Sequence, residues 1–157
     1  MIGDGLLSSG GLEEALARLN ARRRRRDSSD AARALERTLD LVFGTAGRLA
    51  VYGSLAPGES NHGQLRGLSG DWSGGVVRGE LLDHGWGARS GFPAMRWDPR
   101  STGEIPVRLF VSDDLPKHWH RLDAFEGDDY LRILVPVHRE SRLVAVANIY
   151  ELRTSET

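Results

Sequence analysis

The sequence has no cysteine. That excludes disulfides, thiolate metal ligands and a cysteine nucleophile, and it fits a reducing compartment. It has no excess of either charge: 21 Lys+Arg stand against 22 Asp+Glu, so no global field draws the chain to nucleic acid or to a membrane surface. No apolar run approaches the roughly 18 residues of a membrane span. The N-terminal residues do not read as a secretory signal, because the basic cluster follows the apolar residues instead of preceding a long apolar core. The expected setting is the cytoplasm. No Gly-x-Ser-x-Gly elbow accompanies the serines, and no dinucleotide or P-loop glycine pattern occurs. His118-Trp119-His120 would place its two imidazoles on different sides of a helix. Asp113-Asp114 and Asp128-Asp129 read as a cap and a turn. No metal and no cofactor are expected.

Residues 1–47 and 48–157 differ in character. In the first segment Leu12, Ala15, Leu16 and Leu19 recur at helical spacing, with Ser9 or Gly10 as cap and Glu13 and Glu14 in the first turn. Arg22 to Arg26 follow. They read either as a phosphate-binding patch or, more plainly, as a solvated helix end whose cations complement the dipole. Asp27-Ser28-Ser29-Asp30 supplies an N-cap for a second helix striped by Ala32, Leu35, Leu39 and Val42 and ended by Gly44 and Gly47. This helical extension is expected either to pack on the following domain or to serve self-association into a homo-oligomer.

From Arg48 onward strands and turns dominate. Strands are predicted at Leu49–Tyr52, at Val76–Leu82 with a glycine bulge, at Gly91–Trp97 on an edge because of Pro93, at Ile105–Val111, and as a hairpin from Tyr130–Val137 and Leu143–Glu151. Asn61–Leu65 is a short helical turn or loop. One helix is predicted from Ser112 or Asp113 to Phe125, with Leu115, Trp119, Leu122 and Phe125 on one face and Glu126-Gly127 closing it. Trp72, Trp86 and Trp97 are core or pocket-wall aromatics. The fold class is α+β, a small mixed β-barrel with a short helix, preceded by the helical extension.

Two stretches bear chemistry. Val51-Tyr52-Gly53-Ser54-Leu55-Ala56-Pro57-Gly58 is a strand that breaks into turn chemistry. The N–H groups of such a bend can line a donor site for a carboxylate or an oxyanion. Leu122-Asp123-Ala124-Phe125-Glu126-Gly127 places Glu126 at a helix C-terminus. The dipole there, and an apolar wall such as Phe125 or Trp119, would both raise its pKa. Arg132 reads as a surface residue of a strand, with neutralisation of a carboxylate as its other use.

Tyr52-Gly53-Ser54-Leu55 with Pro57-Gly58, Gly79-Glu80-Leu81, Phe92-Pro93-Ala94, Leu122 to Gly127, Tyr130-Leu131-Arg132 and Ile149-Tyr150 together resemble the gamma-glutamylcyclotransferase-like (AIG2-like) family. The resemblance spans about Arg48 to Leu152. Phe92-Pro93 departs from the Tyr-Pro of many members and lacks a hydroxyl. The resemblance implies a small mixed α/β barrel and a cofactor-free reaction: the α-amine of a gamma-glutamyl amide attacks its own γ-carbonyl, releasing 5-oxoproline and an amine. It implies Glu126 as the acid/base, with Tyr52, Gly53, Ser54, Leu55 and Tyr130 binding the substrate. The other use of such a pocket is as a binding module for a gamma-glutamyl-like metabolite, without turnover.

Overall fold

A computed structural model describes residues 8–53, 55–59, 61–82 and 94–153. Six strands occur among them: β1 (Arg48–Val51), β2 (Asp71–Leu82), β3 (Ala94–Trp97), β4 (Glu104–Val111), β5 (Tyr130–Arg139) and β6 (Arg142–Leu152). β2 runs antiparallel to β4 from Asp71↔Val111 to Arg78↔Glu104. β4 is antiparallel to β1. β1 is parallel to β6 at Leu49↔Asn148. β6 forms the expected antiparallel hairpin with β5. β5 returns to β2 at Val76↔His138 and closes a five-stranded barrel. β3 adds only to the far end of β2, from Gly79↔Trp97 to Leu82↔Ala94. It is therefore the edge strand anticipated from Pro93, although residues 91–93 of that prediction lie outside the described residues.

Alternation builds the interior. Ile105, Val107 and Leu109 of β4 point inward, as do Ile133, Val135 and Val137 of β5 and Ala145, Ala147 and Ile149 of β6. β6 departs from alternation and is buried continuously from Ala145 to Leu152. Its second face is covered too: Leu134 and Val146 pack outward against Leu12, Leu16, Leu19 and Leu39 of the N-terminal helices. Each such leucine contributes about 1.5–3 kcal/mol of apolar burial.

Three α-helices occur among the described residues: α1 (Ser9–Arg24), α2 (Asp30–Phe43) and α3 (Trp119–Glu126). The α1 cap is Ser8, not Ser9 or Gly10; its Oγ accepts from Gly11 N at 3.1 Å. α1 ends in a Schellman turn, with Asp27 N donating to Arg22 O and Arg26 N to Arg23 O. The left-handed residue there is Arg26 (φ 53) instead of the usual glycine, which costs roughly 1–2 kcal/mol. Ser29 caps α2 and Gly44 ends it in the left-handed conformation, as anticipated. The predicted α2 stripe is shorter than expected, because Val42 is exposed while Ala32 and Leu39 are buried.

The extension packs on the barrel, and it does more than cover a face. β2 leaves β5 beyond the Val76 pairing, so the first half of β5 has a free edge. α1 supplies the missing partners with side chains. Asn20, fully buried, donates Nδ2 to Leu134 O and accepts from Leu134 N, both at 2.9 Å. Arg23 Nη1 reaches Arg132 O at 3.1 Å. Buried strand-edge groups are thus paired without another strand.

Three sequence expectations need correction. β2 begins at Asp71, because Gly74 and Gly75 belong to the strand. A Cβ on Gly75 would lie 2.6 Å from Val137 Cγ1, so glycine allows the close approach that seals the barrel. No bulge occurs at Gly79, whose register with β3 is continuous; the irregularity lies at Val137/His138. The predicted single helix from Ser112 to Phe125 is a 3-10 turn at Leu115–Lys117 followed by α3. Pro116 lacks the N–H that a continuous helix would use there. Ser112 Oγ is spent on Asp114 N and on Ser69 O. Phe125 is 40% exposed and outside the buried face.

Candidate active site

β1 ends at Val51, and the chain turns at once, with Ala56 N donating to Gly53 O and Glu59 N to Ala56 O, both at 3.0 Å. The Leu55 side chain is buried with Val51, Leu65, Phe110 and Leu122, which pins the bend to the core. Only its backbone is then available to a ligand. Ser54, the middle of the predicted donor bend, lies outside the described residues. So do Trp86, Phe92 and Pro93.

On the other side, α3 ends at Glu126 and Gly127. Gly127 (φ 83) donates to Asp123 O at 3.0 Å and accepts from Tyr130 N at 3.3 Å. That turn swings the chain into β5 and leaves Glu126 half-buried. Burial first, and the Asp123 carboxylate second, push the Glu126 carboxyl up to about 7. The partner in the upward push is therefore Asp123, a residue the sequence reading passed over; Phe125 faces solvent.

Glu126 stands among tyrosines. Burial raises the hydroxyl pKa of Tyr52, and the charges of Tyr130 and Glu126 add to it. Tyr130 is raised by burial and then by Glu126. Tyr52, Tyr130 and Glu126 thus share one electrostatic neighbourhood, which links the β1 bend to the end of α3. Tyr52 donates its hydroxyl proton to Tyr150 O at 2.7 Å. Tyr150 donates its own to Asp123 Oδ1, also at 2.7 Å. The Tyr130 hydroxyl has no protein partner among the described residues.

Behind Asp123 lies a network that sequence reasoning missed. Arg132 grips Asp123 with Nε at 2.9 Å and Nη2 at 3.3 Å. Its guanidinium lies 4.3 Å over the Trp119 ring. It is therefore a paired residue rather than a surface one. Arg132 Nη1 donates to Asn148 Oδ1 at 2.9 Å, and Arg23 Nη1 donates to the same atom at the same distance. Asn148, 1% exposed, donates Nδ2 to Thr45 O and Arg48 O. The signal was present in the sequence as one amide inside the apolar run Leu143 to Tyr150.

The arginine run is also largely structural. Arg22 pairs with Asp27 at 2.9 Å. Arg23 forks onto Glu36 at 2.7 and 2.9 Å. Arg24 meets the buried Glu151 at 2.8 Å, while the other Glu151 oxygen accepts from Trp97 N at 2.9 Å and so ties β3 to the barrel. Neither a phosphate patch nor a solvated helix end describes these three.

The fold and this site define a class of small β-barrel with a half-buried glutamate at the end of a short helix and a bend at the end of a strand. The family model "Gamma-glutamyl cyclotransferase, AIG2-like" matches residues 49–157. The chain belongs to that family. No curated protein matches the sequence. Among solved structures, YkqA from Bacillus subtilis is 25% identical, with a TM-score of 0.53 over 68% of this chain and 35% of that one. The uncharacterized protein PH0828 from Pyrococcus horikoshii shares 21% identity, with a TM-score of 0.51 over 70% and 80%. An S177A allophanate hydrolase from Kluyveromyces lactis shares 17%, with a TM-score of 0.50 over 68% and 17%. The latter two likenesses concern the fold alone. The chain spans about a third of the length of YkqA.

Proposed function

We propose that the protein is a gamma-glutamyl cyclotransferase that uses Glu126 as its single acid/base. The observation that carries this reading is the Glu126 carboxyl, pushed up to about 7 beside Tyr52 and Tyr130. Near neutral pH such a group is about half protonated, so it can both take and return a proton.

The substrate class is a gamma-glutamyl amine or amino acid, which carries its own nucleophile. The Glu126 carboxylate takes a proton from the α-ammonium. The freed amine attacks the γ-carbonyl, and a C–N bond forms within a five-membered ring. Attack leaves a surplus proton on the ring nitrogen. As the tetrahedral intermediate collapses and the original amide C–N bond breaks, Glu126 gives its proton to the departing nitrogen and, as a carboxylate again, passes the ring nitrogen's surplus proton to the released amine, which leaves as an ammonium. The products are 5-oxoproline and a free amine. Holding the substrate in a folded, near-attack shape supplies several kcal/mol by proximity. No metal or cofactor enters these steps. The backbone N–H groups of Gly53, Ser54 and Leu55 hold the α-carboxylate or the developing oxyanion. The Tyr52 proton is committed to Tyr150 O, so this side chain offers a substrate its ring and braces the bend. Tyr130 is the hydroxyl left to bind the substrate.

The test is to mix purified protein with gamma-glutamyl amines and gamma-glutamyl dipeptides and assay 5-oxoproline. Release by wild type and not by folded Glu126→Gln supports the enzyme. Saturable binding without product would replace it with a binding module for a gamma-glutamyl-like metabolite.

A further inference from the structure

β3 has a strand partner on one edge only. It pairs with β2 from Gly79↔Trp97 to Leu82↔Ala94, and no strand lies on its other side among the described residues. Asp98 N donates to Arg78 O of β2 at 3.2 Å, so by strand alternation the N–H groups of Met95 and Trp97 turn to the unpaired edge. Side chains meet them there. Trp97 N donates to Glu151 at 2.9 Å. Burial raises the Tyr52 hydroxyl pKa, with Glu151 among the charges that add to the rise, and the Met95 N–H that faces this hydroxyl works the other way. Tyr52 is itself fixed by its bond to the carbonyl of Tyr150, the residue before Glu151. Tyr52, Met95 and Trp97 all belong to the packing of the barrel interior.

Glu151 is an unfavourable residue for this place. It continues the spacing of Ala145, Ala147 and Ile149, which point inward, and it is only 4% exposed. A carboxylate taken out of water destabilises a fold unless it is paired and hydrogen-bonded. Even when paired, it contributes little net stability compared with apolar residues of the same size. What this carboxylate does is join segments far apart in the chain: one oxygen meets Arg24 of α1 at 2.8 Å, the other meets Trp97 N of β3. The Trp97 indole N–H is buried with no partner among the described residues, so the indole gives β3 no polar anchor. The backbone bond to Glu151 does.

We propose that Glu151 is a positioning residue for the candidate active site: by holding the outer edge of β3, it sets Met95 against Tyr52 and fixes that side of the substrate pocket. Arg24 supplies the charge that lets a carboxylate stay there, so the extension, which lies outside the stretch matching the family, takes part in shaping the site. Glu126 stands on a different element, α3, so this clasp bears on substrate affinity and not on the proton transfers. The kinetic consequence rests on the cyclotransferase reading. The placement of β3 against Tyr52 does not.

The experiment compares Glu151→Gln with Glu151→Met in the full chain. Both remove the charge, and both release Arg24, already 42% exposed, to solvent. The two side chains are similar in length, but only glutamine keeps an oxygen for Trp97 N. Glu151→Gln should keep the wild-type KM for a gamma-glutamyl dipeptide. Glu151→Met should raise KM by about three- to tenfold, the span of one hydrogen bond, with kcat within about twofold of wild type. NMR without substrate should show faster exchange of the Trp97 amide and a shifted Tyr52 ring signal in Glu151→Met, and neither in Glu151→Gln. A merely structural carboxylate would lower the melting temperature in both variants and leave KM alone. Should Glu151→Met fail to fold, Glu151→Asp keeps the charge for Arg24 and withdraws the oxygen by one methylene, and KM should rise in the same direction. Equal KM values in Glu151→Gln and Glu151→Met, or a Tyr52 signal that stays in place when the oxygen is lost, overturn the role. If wild type releases no 5-oxoproline, the cyclotransferase reading falls, and the two NMR signals decide whether Glu151 positions β3.

Discussion

The Asp123 carboxylate stands one helical turn before Glu126 on α3 and adds to the burial that holds the Glu126 proton. Asp123 is itself kept in place by Arg132 and by the Tyr150 hydroxyl. A residue three positions away thus helps set the acid strength of the proposed catalytic group.

Glu126→Gln should abolish most 5-oxoproline release, by a factor on the order of 10²–10⁴, the usual span for losing a general acid/base. The circular dichroism spectrum should be unchanged. A variant that keeps wild-type turnover would remove Glu126 from its assigned role.

The same residue predicts a pH dependence of stability. The folded carboxyl, at about 7, lies above its ordinary value of 4.5. Below pH 4.5 the folded and unfolded chains are both protonated there, and Glu126 contributes no penalty. Between pH 4.5 and 7 the unfolded chain releases the proton first, so stability falls as pH rises. Above 7 the full penalty applies, on the order of 1–3 kcal/mol for a half-buried group. Glu126→Gln should therefore be more stable than wild type at pH 8, with the gap closing toward pH 4.5. Urea midpoints at the two pH values measure it.

Asp123→Asn removes the anion and leaves the burial. The Glu126 titration should move down but stay above its ordinary carboxylate range. Carbon-13 NMR of labelled glutamate side chains, assigned with Glu126→Gln, reads this directly. An unchanged titration would show that Asp123 does not act on Glu126.

Asn20→Leu keeps an apolar-compatible volume on α1 but strips Leu134 N and O of their partners. Leaving two buried backbone groups unpaired should cost about 2–4 kcal/mol. Chemical denaturation gives the number, and a loss below about 0.5 kcal/mol would mean that water or another strand replaces Asn20. For the same reason a chain truncated to residues 48–157 should lose stability and associate through the bared edge of β5.

Much of the architecture is legible in the residues. The hairpin of Tyr130–Val137 and Leu143–Glu151 is written in continuous β-branched and apolar runs. Ser29 and Gly44 mark the ends of α2 because a capping hydroxyl and a left-handed glycine are local needs. β4 shows its inward face by alternation. Where reading failed, a distant contact had overruled a local preference. Gly75 lies before the strand predicted from Val76, yet it belongs to β2, and there Val137 and His138 leave no room for a side chain. Arg132 looks like a surface cation until Asp123, Asn148 and Trp119 gather around it. Arg22 to Arg24 look like a solvated tip until Asp27, Glu36 and Glu151 are in place.

The sequence by itself determined the elements and their order, the bend after Tyr52, and a glutamate at a helix end beside a glycine. These follow from periodicity, capping and turn chemistry, which act over a few residues. Only the tertiary structure decided that α1 completes the free edge of β5, that Asn148 holds two arginines from opposite ends of the chain, and that Asp123 bears on Glu126 under shared burial. Those depend on which groups lose water together, and desolvation is a property of the folded arrangement, not of neighbours along the chain.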